Sequence, residues 1–191
     1  MKNKKFPSSA EIRKELARVR YRRRYRKTLY STLFALLVAA AIAVLVATLW
    51  LPVLQIFGAS MEPTLEEGQI VVSLSTPELE SGDVVAFYYG NRVLVKRCIA
   101  GPGAWVDVQP DGTVLVNGVV LDEPYIKEKA FGICDIEFPY QVPDGTYFLM
   151  GDQRNTSVDS RHSTVGCISQ EDIIGKIVFR AWPLSDFGAI E

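Results

Sequence analysis

Leu29-Tyr30-Ser31-Thr32-Leu33-Phe34-Ala35-Leu36-Leu37-Val38-Ala39-Ala40-Ala41-Ile42-Ala43-Val44-Leu45-Val46-Ala47-Thr48-Leu49-Trp50-Leu51 is a run of 23 residues without a charge. A bilayer core about 30 Å thick takes about 20 helical residues, so the run is long enough to span it with some tilt. In lipid its backbone polar groups must pair internally, which makes a helix the default. The run also divides the charge of the chain. The formal net charge is −1, yet residues 1–27 hold twelve Lys or Arg against Glu11 and Glu15, a net of +10 that leaves −11 for the rest. The positive-inside rule then keeps the N-terminus in the cytoplasm and everything beyond Leu51 outside. A cleavable signal sequence shares the basic start, but its apolar part is about 7 to 15 residues and closes on a small-x-small site. Here the span ends in Trp50-Leu51-Pro52. The expectation is a basic cytoplasmic segment over 1–27 and an uncleaved, single-pass anchor over 28–52 in the cell membrane.

The basic arm raises nucleic-acid binding, because clustered Arg is its usual electrostatic footprint. The arm abuts the membrane, however, where anionic headgroups attract juxtamembrane Lys and Arg at about 1 kcal/mol each. Ser8-Ser9-Ala10-Glu11 reads as a capping box, and Ile12, Leu16 and Val19 follow at helical spacing. A short helix near the inner leaflet is expected, with membrane lipid as partner and no nucleic acid. A frayed tail that only sets topology is the alternative.

Beyond the anchor the pattern changes to short extended runs. Residues 69–74, 83–88, 92–99, 105–108, 113–116, 146–150 and 173–181 are rich in Val, Ile, Phe and Tyr, which are strand signals. Asp111-Gly112 and Asn117-Gly118 suit tight hairpins whose two central residues take positive φ. The predicted class is mainly β: an antiparallel, barrel-like catalytic domain after one transmembrane helix. Pro, Gly and acidic residues crowd the stretch from Gly101 to Gly145. That predicts an inserted hairpin subdomain over 103–145, carried on a core made of 53–102 and 146–191. There is no metal-ligand spacing, phosphate loop or dinucleotide fingerprint, so no metal and no cofactor is expected.

Two residues carry the chemistry. Ser60 stands in Gly58-Ala59-Ser60-Met61-Glu62-Pro63-Thr64-Leu65, nine residues past the apolar run, and Lys96 stands in Arg92-Val93-Leu94-Val95-Lys96-Arg97-Cys98-Ile99. A serine hydroxyl needs a neighbour to accept its proton, and a lysine does this only when neutral. Free lysine titrates near 10.4, and burial among apolar groups lowers that value by disfavouring the ammonium. Lys96 has apolar neighbours on both sides, although a strand lysine facing solvent is the plain alternative. Pro63 fixes its own φ and biases Glu62 toward an extended shape, presenting Ser60 on a stiff turn. Downstream, Met150-Gly151-Asp152-Gln153-Arg154-Asn155-Thr156-Ser157-Val158-Asp159-Ser160-Arg161 is polar directly after an apolar strand, a setting that favours a site over packing.

Three segments, Ser60-Met61-x-Pro63-Thr64-Leu65, Gly82-Asp83-Val84-Val85 with Lys96-Arg97, and Gly151-Asp152-x-Arg154-x-x-Ser157-x-Asp159-Ser160-Arg161, occur in this order behind a membrane anchor. In this the chain resembles the bacterial type I signal peptidases, membrane-bound Ser-Lys endopeptidases that remove signal peptides from exported preproteins. The resemblance implies Ser60 as nucleophile and Lys96 as general base. It implies Ser157 as the group that orients the lysine, Asp159 with Arg161 as a supporting ion pair, and Arg97 with Asp152 as a second, structural pair. It also implies pocket positions Ile56, Met61, Leu65 and Val95 for the residue before the cut, and Val71 and Ala86 for the one two further back. Plain core packing is the alternative for all six. The partners implied are signal peptides of secreted preproteins, with the export machinery nearby. One branch of the family places an oxyanion-hole serine two positions before the nucleophile. Gly58 stands there in this chain, which resembles the Gram-positive branch and leaves the second oxyanion donor unassigned.

Rival readings use other residues. His162, the only histidine, is a conceivable base for Ser60. Cys167 with His162 and Arg161 would suit a sortase-like transpeptidase, although the Thr-Leu-x-Thr-Cys signature is missing. Cys98, Cys134 and Cys167 permit a disulfide outside the membrane but leave one thiol over. A non-catalytic anchored domain that binds envelope proteins, with Trp105, Trp182 and Phe187 as surface aromatics, is the third.

Overall fold

Between Ser9 and Trp50 the sequence has neither proline nor glycine. The structure, a computed structural model that describes residues 9–76 and 78–190, has one continuous helix there, α1 (Ser9–Trp50). The arm is helical as expected, but as part of one helix with the anchor rather than as a short helix of its own. Arg, Lys, Leu and Ala are all strong helix formers, so nothing interrupts the hydrogen-bond ladder where the charged arm meets the apolar run. Ser8 of the expected capping box lies outside the described residues. At 1.5 Å per residue α1 is about 63 Å long, and its stretch Arg13–Leu45 is long and apolar enough to cross a membrane. The polar groups near its middle are closed internally: Thr28 Oγ1 donates to Arg24 O at 3.1 Å and Thr32 Oγ1 to Thr28 O at 3.0 Å.

Residues 49–191 make a second compact unit. Its strands are β1 (Val53–Gln55), β2 (Ile70–Leu74), β3 (Val84–Tyr89), β4 (Arg92–Ala100), β5 (Trp105–Val108), β6 (Val114–Val116), β7 (Val119–Val120), β8 (Tyr140–Gln141), β9 (Thr146–Met150), β10 (Ile168–Ser169), β11 (Ile173–Trp182) and β12 (Gly188–Ala189). The larger sheet runs β1-β2-β11-β3-β4-β9-β10, with β12 also on β11; the smaller runs β7-β6-β5-β8. Every pairing given by these strands is antiparallel, as expected for a mainly β chain. Strands β1, β7, β8, β10 and β12 have only two or three residues each, too few for a periodic pattern to register.

One feature of the larger sheet prepares the site. β4 pairs with β3 along Arg92–Arg97, but with β9 only along Arg97–Ala100. Among the described residues its first half therefore has a free edge. Among the same residues β1 pairs with β2 alone and supplies another. Ile56, Met61, Leu65, Val71, Val84, Ala86 and Ile177 form the core beneath β1 and the start of β2. A second core joins Ile99, Phe148 and Met150 of the larger sheet to Val106, Val108, Val114 and Val142, so the small sheet rests on β4 and β9. Asn117 and Gly118 both take positive φ (52° and 78°) between the paired Val116 and Val119, as the dipeptide predicts. At Asp111-Gly112 only Gly112 does (φ 84°). There the Asp111 carboxylate accepts from the Thr113 N–H at 2.9 Å, a local side-chain turn that keeps Asp111 in ordinary backbone space.

Candidate active site

Ser60 sits in a turn closed by Glu62 N–H to Ala59 O (3.1 Å) and Leu65 N–H to Met61 O (2.9 Å). The turn is tied down from two sides. Thr64 Oγ1 donates to Asp152 Oδ2 at 2.5 Å and accepts from Arg97 at 3.1 Å, while Arg180 donates to Thr64 O at 2.7 Å. Arg97 and Asp152 form a two-pronged ion pair, Nε to Oδ1 at 2.9 Å and an Nη to Oδ2 at 2.8 Å, with both side chains buried. Thr64, Arg97 and Asp152 thus bring together the serine turn, the lysine strand and the 151–161 loop. The Ser60 carbonyl in turn accepts the Gln153 N–H at 3.1 Å.

Lys96 is buried, 4% exposed, and its Nζ donates to Ser157 Oγ at 3.0 Å. Burial lowers the pKa of its amine below the usual lysine value of 10.5; nearby Asp159 and Asp152 oppose this and Arg161 reinforces it. The net shift is toward the neutral amine. Asp159 and Arg161 are fully buried partners, with Arg161 Nε to Asp159 Oδ1 at 2.9 Å and an Nη to Oδ2 at 2.8 Å. Burial pushes the Asp159 carboxyl up, but Arg161, the Gly151 N–H and Ser157 outweigh it and hold the carboxyl below the ordinary aspartate range.

Gly151 lies between the two serines. A Cβ there would stand 2.6 Å from both Ser60 O and Ser157 Cβ, and against Ser157 Oγ. The Ser60 main chain and the Ser157 side chain therefore converge on one point, which only glycine leaves open. Gly58, two residues before Ser60, takes φ +80°, a backbone that strains any L side chain. In this structure the Ser60 hydroxyl has no hydrogen bond to Lys96 among the described residues; what joins them is the shared loop.

A groove of about 690 Å³ opens beside Ser60, lined by Val53–Gly58, Ser60 and Met61 on one side and Arg92–Val95 on the other. These are the free edges of β1 and β4. Of the six expected pocket residues, Ile56, Met61 and Val95 line the groove. Leu65, Val71 and Ala86 have no exposure and lie in the core behind it.

The sequence profile described as signal peptidase, peptidase S26, matches residues 29–182. The chain belongs to the signal peptidase family. Signal peptidase IB of Staphylococcus aureus strain COL is 39% identical over 152 residues, covering 69% of this chain and 78% of that protein. A chloroplastic thylakoidal processing peptidase 1 of Arabidopsis thaliana is 37% identical over 143 residues, covering 66% and 40%. A signal peptidase I from Enterococcus faecalis V583, solved by crystallography, is 29% identical with a TM-score of 0.44 and covers 52% of this chain and 96% of that one.

Membership of the signal peptidase family leaves the rivals without support, and so does their geometry. His162 lies 3.6 Å from Asp135 and meets Thr164, not Ser60. Burial, with Asp83 adding, pushes the Cys98 thiol up to about 12, and burial raises the Cys167 thiol as well. All three cysteines are free. Sequence reasoning gave no partner to Arg154 and passed over Glu123 and Tyr125. Arg154 makes a two-pronged buried pair with Glu123 at 3.1 and 2.5 Å, and the Tyr125 ring lies 3.8 Å under the Arg97 guanidinium. Arg154 and Thr64 stand inside the quoted motifs and were findable there. Glu123 and Tyr125 sit in Asp122-Glu123-Pro124-Tyr125, which carries no periodicity or spacing to mark them.

Proposed function

We propose that this chain is a membrane-anchored serine endopeptidase that removes signal peptides from exported preproteins, with Ser60 as nucleophile and Lys96 as general base. The observation that carries the reading is the buried Lys96 amine on Ser157 Oγ, in a loop whose Gln153 N–H holds the Ser60 carbonyl. The Ser157 hydroxyl takes one lysine N–H and so aims the nitrogen lone pair. Lys96 Nζ removes the Ser60 proton as Oγ attacks the scissile carbonyl carbon. The resulting ammonium then returns that proton to the departing amine, leaving an ester on Ser60. A water activated by the same amine hydrolyses the ester and frees Ser60. The Ser60 N–H faces the developing oxyanion, with a second backbone group or a water completing the hole in place of a side chain at Gly58. Arg97 and Asp152, and Asp159 and Arg161, keep the base and its orienting serine in place.

The substrate lies extended in the groove and adds a strand between the free edges of β1 and β4. Main-chain bonds give affinity and side-chain pockets give selectivity. Ile56, Met61 and Val95, backed by Leu65, Val71 and Ala86, wall shallow apolar sites for the small residues of an A-x-A sequence. The N-terminus faces the cytoplasm and residues after Leu51 face outward in a single-pass arrangement at the cell membrane, beside lipid and the export machinery. The 103–145 stretch is an inserted subdomain on the 53–102 and 146–191 core. Purified full chain in detergent is expected to cleave a preprotein after A-x-A, and Ser60→Ala and Lys96→Ala to abolish the cleavage. Activity surviving in either variant removes the dyad.

A further inference from the structure

The buried ion pair of Arg154 and Glu123 joins two parts of the chain that the proposed chemistry leaves separate. Glu123 belongs to the segment between β7 and β8, and Arg154 to the 151–161 loop; their side chains are 1% and 0% exposed. Arg154 Nε also donates to Gly151 O at 3.1 Å. The Gly151 N–H donates to Asp159 Oδ2 at 3.0 Å, and Arg161, which holds Asp159, donates to Arg154 O at 3.0 Å. The N–H and the C=O of Gly151, which belong to the peptide groups on either side of its Cα, are thus both fixed by one closed ring of bonds. Against the Gly151 Cα stand the Ser157 side chain and the Ser60 carbonyl. The same segment braces the ring again further on, where Arg161 donates to Phe131 O at 2.8 Å. Tyr125 OH donates to Glu123 Oε1 at 3.1 Å while its ring carries Arg97.

We infer that Glu123 is a positioning residue for the Lys96–Ser157 pair, acting through Arg154 and the Gly151 peptide. A charged brace of this kind has a directional fork that an amide lacks. Removing its charge leaves the loop folded but loosely aimed, and a base misplaced by about 1 Å loses roughly 100-fold in rate. This inference rests on the dyad reading above, and its test separates the two.

Full-length Glu123→Gln, Tyr125→Phe and Arg154→Lys are compared with the unaltered chain for kcat and KM on a preprotein, and for amide hydrogen exchange across 149–161. For Glu123→Gln the expected result is a 10- to 100-fold fall in kcat with KM within about twofold, and faster exchange at 151–157. Tyr125→Phe, which removes one hydroxyl, shows a smaller effect of the same sign, and Arg154→Lys, which keeps the charge without the fork, lowers kcat as Glu123→Gln does. A variant with unchanged kcat and unchanged exchange overturns the inference, as does a change confined to KM. The exchange readout stands without activity, so Ser60→Ala remaining active would remove the dyad while leaving the brace to be judged by exchange alone. Should Glu123→Gln fail to fold, Tyr125→Phe decides by the same two measurements.

Discussion

Replacing Gly151 with alanine adds one carbon at the point where the site is tightest. The new Cβ would lie 2.6 Å from Ser60 O and from Ser157 Cβ, while ordinary contacts begin at about 3.5 Å. Neither neighbour is the loose end of a long side chain. The Ser60 carbonyl is held by Gln153, and Ser157 by its bond from Lys96. The misfit is therefore met by moving the serine turn away from the loop by roughly 0.5 to 1 Å. Overpacking of this size costs about 1 to 3 kcal/mol of stability, or a few degrees to about ten in Tm for a unit of this length. The catalytic cost is larger, since about 1 Å at the reacting groups is worth roughly 100-fold. Cleavage of a preprotein by purified full chain, with thermal unfolding followed by circular dichroism on the same samples, measures both. A folded Gly151→Ala protein with kcat within threefold of the unaltered chain refutes the convergence of Ser60 and Ser157 on this peptide.

Ser157→Ala leaves the Lys96 amine buried without its acceptor, and kcat should fall by about 10- to 100-fold, part of the roughly 10²- to 10⁴-fold that a placed base supplies; steady-state kinetics on the preprotein decide it. Lys96 acts when neutral and its pKa is lowered from 10.5, so kcat/KM should climb through a limb whose midpoint lies below that value. A profile still rising only above it counts against Lys96. In the window between the lowered value and 10.5 the unfolded chain holds one proton more than the folded one, so stability rises with pH by up to about 1.4 kcal/mol per unit. Lys96→Met should flatten that slope in urea titrations. Asp152→Ala removes the carboxylate that balances the buried Arg97 charge and should cost about 3 to 5 kcal/mol, visible as a lowered urea midpoint. Iodoacetamide and His162→Ala should each leave cleavage largely intact, because no cysteine takes part in the proposed chemistry, burial raises the Cys98 and Cys167 thiols, and His162 faces Asp135.

How far the sequence reached depended on the range of the interaction concerned. The apolar run, the Val- and Ile-rich strands and the Asn117-Gly118 turn are each decided within a few residues, and the structure has them. The continuity of α1 was missed because the change from charged to apolar residues looks like a boundary, while the backbone responds only to helix propensity and the lack of a breaker. β10 and β12 exist through their partners β9 and β11, not through any pattern of their own. Glu123 finds Arg154 across 31 positions, from a proline-flanked stretch that reads as loop. For Lys96 the sequence left burial and exposure both open; strand neighbours Val95 and Arg97 do not decide it, whereas Ser157, 61 positions away, supplies the polar contact.

The backbone edges of β1 and of the first half of β4, without a strand partner among the described residues, have a consequence for handling the molecule. Unpaired N–H and C=O rows recruit whatever extended chain is near, and in a concentrated detergent solution the commonest such chain is another copy. Self-association should therefore grow with protein concentration and recede when a short peptide with small residues one and three before its C-terminus is added, as light scattering would register. A peptide of that kind in the buffer would act as a preservative.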